Sequence, residues 1–169
     1  CAVIQCVGTL ADAQSPRTYT DSKKGSLTLP LGDLSFADGV LTLREGRGQQ
    51  PVASAADAAA AIGPPDFTGN VNDGSFLSLG CGGSVIVAFT DNALTDMPGP
   101  DLYVFEVGPK VEGTFLEVSA GGDAWIEIGD IEGGRAEIDL AETAAAGGTY
   151  RAVRLTDHAV SCGGRFPGA

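Results

Sequence analysis

Pro98-Gly99-Pro100-Asp101-Leu102-Tyr103-Val104-Phe105-Glu106-Val107 reads as a stiff turn that opens straight into an apolar strand. The two prolines fix φ, and Gly99 permits a sharp reversal between them. Over 102–107 alternate residues face opposite ways, so Leu102, Val104 and Glu106 share one face while Tyr103, Phe105 and Val107 share the other. Both faces are apolar apart from Glu106, which marks the strand as a central one, covered on both sides. A carboxylate on such a strand is half or fully buried and needs an ionic partner, a proton or a cation. Arg154, between Val153 and Leu155, is a candidate partner. Cation ligation by Glu106 is the competing reading.

On either side of this strand the chain repeats short apolar runs divided by glycine-rich turns. Leu27, Leu29 and Leu31 alternate, and a second run over 36–43 follows across Gly32-Asp33 and Asp38-Gly39, a pattern that predicts a hairpin. The alanine-rich stretch 54–61 predicts a short helix ended by Gly63-Pro64-Pro65. Strands are expected over 76–79, 84–89, 114–119, 125–128, 136–140 and 150–156. Many short strands with little helix indicate an all-β protein, an antiparallel β-sandwich or jelly roll. No internal repeat or linker divides the chain.

The 169 residues suit one domain with a sizeable core. Ten Lys and Arg against 22 Asp and Glu give a formal net charge of -12. That balance argues against binding a nucleic-acid backbone or an anionic membrane surface. No stretch is apolar for long enough to span a bilayer as a helix.

Residues 1–13 form an apolar run ending in Ala11-Asp12-Ala13, which has the form of a signal-peptidase site. The expectation is a remnant of a signal peptide, with a single domain over 14–169; a short N-terminal strand is the alternative. Removal of that segment leaves Cys81 and Cys162, each in a Cys-Gly-Gly context. An even count in an exported chain favours a disulfide between them. Zinc asks for about four closely spaced ligands, and neither CxxC nor HxxxH is present.

Several stretches together carry a family likeness: Ala61-Ile62-Gly63-Pro64-Pro65-Asp66, Leu77-Ser78-Leu79-Gly80-Cys81-Gly82-Gly83-Ser84, and Pro98-Gly99-Pro100-Asp101. Ser119-Ala120-Gly121-Gly122-Asp123-Ala124-Trp125 and Arg151-Ala152-Val153-Arg154-Leu155-Thr156-Asp157 extend the series. Over roughly residues 26–169 the chain resembles bacterial cell-surface modules related to the galactose-binding-like jelly roll, the discoidin or coagulation factor 5/8 C-type fold. It is especially similar to modules that precede an OmpA-type peptidoglycan-binding domain in envelope proteins. In such modules the run at Phe166-Pro167-Gly168-Ala169 continues into a further acidic strand, so the resemblance implies a C-terminus cut short within a larger chain.

A stiff acidic loop supplies the oxygen ligands that calcium takes. The candidate ligands are Asp91, Asp96 and Asp101, with Glu106 or Asp157 beside them. The resemblance adds to this, because galactose-binding-like folds often hold a structural calcium ion. Catalysis finds little support: His158 is the only histidine, and no G-x-S-x-G elbow accompanies it. Trp125 follows a turn, where its ring can stack on a sugar or cap the core.

The expectation is a non-catalytic, calcium-stabilised binding module, exported to the periplasm, outer membrane or cell surface of a bacterium. It recognises carbohydrate or another cell-wall component. The alternative is a structural spacer of an OmpA-type peptidoglycan-associated protein, without a ligand of its own.

Overall fold

The computed structural model describes residues 4–6, 15–21, 25–107, 113–131, 135–160 and 162–168. The Ala11-Asp12-Ala13 motif and the Glu132-Gly133-Gly134 turn lie outside them. In chain order the strands are β1 (Ile4–Cys6), β2 (Arg17–Asp21), β3 (Gly25–Leu29) and β4 (Gly39–Arg44). Next come β5 (Ser84–Ala88), β6 (Leu94–Thr95), β7 (Leu102–Phe105) and β8 (Thr114–Ser119). The last are β9 (Ile126–Ile131), β10 (Arg135–Ile138), β11 (Thr149–Tyr150) and β12 (Ala152–Asp157).

All pairings among the described residues are antiparallel. Five strands form one sheet in the order β4-β5-β12-β8-β9, and three form another in the order β1-β7-β10. β7 is flanked on both sides, and all four of its residues are buried. Period-two alternation gives the larger sheet its inner face: Val85, Val87, Leu116, Val118, Val153 and Leu155 are all fully buried. These side chains share one core cluster with Leu102 and Val104 of β7, Leu94, Leu140 and Tyr150. The chain is therefore all-β and antiparallel around a single core, an arrangement compatible with a β-sandwich.

Local expectations change in four places. The run over 25–29 does not pair with the run over 39–44: β3 pairs with β2, and β4 pairs with β5. Pro30 ends β3, and Gly32–Ser35 forms a 3-10 turn whose Asp33 is gripped by Arg17 and Tyr19 of β2. The 54–61 stretch forms two 3-10 turns, Ala53–Ala55 and Ala58–Ala61, because Asp57 caps the second and interrupts the run. Phe76-Leu77-Ser78-Leu79 is buried but is not a strand, since its backbone bonds run to irregular segments. Ser78 N–H donates to Ala55 O at 2.8 Å, and Leu79 N–H donates to Gly168 O at 2.9 Å. Finally, the 150–156 run is split at Arg151 into β11 and β12, which join different sheets.

Candidate functional site

Three chain segments meet at the mouth of β7. The register places Ile138 of β10 opposite Leu102, so Asp139 arrives beside Asp101. Asp101 is fully buried, and its two oxygens accept from two backbone amides, Met97 N–H at 2.8 Å and Leu140 N–H at 2.9 Å. The first bond closes the Pro98-Gly99-Pro100 turn, whose Gly99 sits at φ +93° where a side chain would be strained. The second fastens that loop to the 3-10 turn Leu140–Glu142.

Asp139 caps this 3-10 turn by accepting from Ala141 N–H at 3.0 Å. Asp96 accepts from Gly147 N–H at 2.6 Å. Carboxylate oxygens of Asp96, Asp101 and Asp139 lie within 4.8 Å of one another. Burial pushes the Asp101 carboxyl above the ordinary range, the two amides pull it back, and the charges of Asp96 and Asp139 push it further up. Tyr150 is raised as well, by burial and then by the charge of Asp96. A donor set made only of oxygen suits calcium or another hard cation rather than zinc.

Two of the five nominated carboxylates, Asp96 and Asp101, are thus brought together, and Asp139 joins them. Asp139 carries no local signal of this role, because only the β7–β10 register puts it there. Asp91 stands elsewhere, beside Asp38, and is raised by burial and by that neighbouring carboxylate. Asp38 in turn accepts from Thr90 N–H at 2.6 Å and Thr90 Oγ1 at 3.0 Å. Glu106 is half-buried just past the end of β7. Asp157, at the end of β12, accepts from Gly82 N–H and Ala159 N–H, each at 2.8 Å. It braces the turn joined by the Cys81–Cys162 disulfide, whose Cα atoms are 4.9 Å apart.

The candidate partner of Glu106 has a different mate. Arg154 projects from the outer face of the larger sheet, opposite Val153 and Leu155, and pairs with Glu117 across the β12–β8 register. Nε and Nη2 each meet one carboxylate oxygen, a two-point grip. The guanidinium carbon lies 4.3 Å from the centroid of the Trp125 ring, so the tryptophan is on this outer face rather than capping the core. Trp125 is half-buried. His158 is exposed, with Nε2 2.8 Å from Asp130 Oδ1.

No helix among the described residues is long and apolar enough to cross a membrane. No family model, curated protein or solved structure matches the chain.

Proposed function

We propose that this chain is a non-catalytic binding module of the bacterial cell envelope, built as a jelly roll of the galactose-binding-like kind. It works outside the cytoplasm. The Cys81–Cys162 disulfide suits an oxidising compartment and so supports export. Calcium at Asp96, Asp101 and Asp139 fastens the loop before β7 to the segment after β10. The ligand is a carbohydrate or another surface component, met by the outer face of the larger sheet around Trp125.

The observation that carries recognition is the Trp125–Arg154–Glu117 stack. An indole held against a guanidinium, itself locked by a two-point ion pair, is a pre-oriented aromatic and hydrogen-bonding platform on a sheet face. Binding of the chain to a glycan array, lost on Trp125→Ala with the fold intact, is the expected result. No binding to any glycan overturns the carbohydrate reading.

One observation favours a spacer without its own ligand: Arg154 already covers one face of the Trp125 ring. Under that reading Trp125→Ala changes stability and no binding. The calcium component has its own test, since melting with calcium and then with chelator should separate the midpoints. Asp139→Ala should remove the difference, and coincident midpoints in the wild type overturn it.

A further inference from the structure

On the outer face of the larger sheet the strand register sets two carboxylates side by side. Glu117 of β8 stands directly opposite Arg154 of β12 on one side and directly opposite Glu127 of β9 on the other. Leu116 and Val118, which flank Glu117 in its strand, are fully buried, so all three charged residues lie on the outward face. Trp125 precedes Glu127 by two positions. Its ring lies on the same face, with the Arg154 guanidinium carbon 4.3 Å from the ring centroid. Side chains opposite one another on antiparallel strands are about 5 Å apart at Cβ, and like charges placed so repel.

Of the two glutamates, Glu117 holds the cation: Arg154 commits Nε and Nη2 to its two oxygens. Glu127 is exposed and forms no ion pair among the described residues. Asp130 of β9, opposite Phe115, adds a third carboxylate to the face, with His158 Nε2 2.8 Å from its Oδ1. Arg44, opposite Ser84, shares the face but stands at its other edge, four strands from Glu127. At about 4.8 Å per strand that is about 19 Å, beyond the screening length at physiological salt. The surface beside the Trp125 ring is therefore negative, and its one close arginine is already neutralised. An anionic sugar is repelled there and a neutral one gains nothing from Glu127. A protonated amine relieves the repulsion between Glu117 and Glu127.

Resting on the carbohydrate reading of this face, we propose that the ligand is a saccharide carrying a free amine and that Glu127 selects it. The sugar ring meets Trp125, and the protonated amine lies against the Glu127 carboxylate. Titrating the whole chain with glucosamine oligomers and with N-acetylglucosamine oligomers of equal length, at mildly acidic pH, tests this. The free-amine oligomer should bind about five- to tenfold more tightly, an advantage that shrinks as salt rises. Glu127→Gln should abolish the difference and leave the affinity for the acetylated oligomer unchanged. Equal affinities in the wild type overturn the amine assignment. So does a preference that survives Glu127→Gln, which general attraction to a chain of net charge -12 would produce. Binding of neither oligomer overturns it too, and the carbohydrate reading falls with it only if no other glycan binds. Glu127→Gln should also raise the melting midpoint slightly, because one of two facing like charges is removed. A lowered midpoint would mean that Glu127 is already held by a partner, and that overturns the proposal independently of any ligand.

Discussion

Arg154 and Glu117 stand directly opposite each other on β12 and β8, and the guanidinium grips both carboxylate oxygens beneath the Trp125 ring. Their side chains are 28% and 15% exposed, between the surface pairs that contribute little and the buried pairs whose breakage is severe. Arg154→Ala or Glu117→Ala should each lower stability by about 1–3 kcal/mol. The double variant should cost less than the two single changes summed, because each single change strands a charge. Urea denaturation of the cycle measures the coupling, and Trp125 fluorescence should shift in every Arg154 variant. Strict additivity would count against the pair.

Asp101 should be the most sensitive carboxylate in the acidic loop. Asp101→Ala strands the amides of Met97 and Leu140, at a cost of about 2 kcal/mol or more. Asp101→Asn should cost less, since its amide oxygen can still accept from one of them. Amide hydrogen exchange at Met97 and Leu140 is the direct readout. Unchanged exchange in Asp101→Ala would show that the two segments are held by other contacts.

Reducing the Cys81–Cys162 bridge, which closes a sequence separation of 81, should lower stability by about 4.5 kcal/mol on the chain-entropy account. The segment 162–168 should loosen first. Its Pro167 and Gly168 carbonyls accept from Gly80 N–H at 2.8 Å and Leu79 N–H at 2.9 Å, so exchange at those two amides should rise before global unfolding. Exchange that rises everywhere at once would place the disulfide in the global folding unit instead.

Tyr19 supplies a pH dependence at the alkaline end. Burial, then the hydrogen bond and charge of Asp33, push its hydroxyl up to about 12, while Arg17 pulls the other way. In the unfolded chain the group ionises near 10.0, so it loses its proton there first. Its contribution to stability is therefore complete below 10.0 and is lost as pH rises towards about 12. Ultraviolet titration should show a late-ionising tyrosine that Tyr19→Phe removes. Denaturation midpoints across that range should fall less steeply in the variant.

The all-β class was legible because alternation is a local property: Val85, Val87, Val153 and Leu155 sit on one face wherever the strands pair. The centrality of β7 followed from its two apolar faces, and the cysteine pairing from an even count in a chain read as exported. Partner choice was not legible. Alternation in 25–29 and 39–44 looks the same whether the runs pair with each other or not, and the Asp33 contact with Arg17 and Tyr19 favours β2 as the partner of β3.

The sequence by itself determined which residues are strand formers, where the stiff acidic turn lies and which cysteines could be bridged. These follow from side-chain period, fixed φ and redox chemistry, all readable within a few positions. Only the tertiary structure decided that Asp139 meets Asp101, that Arg154 takes Glu117, and that Asp157 braces the disulfide turn. Each of these depends on strand register or on the packing of distant segments, which no neighbouring residue encodes, and a slip of one residue would send every such side chain to the opposite face.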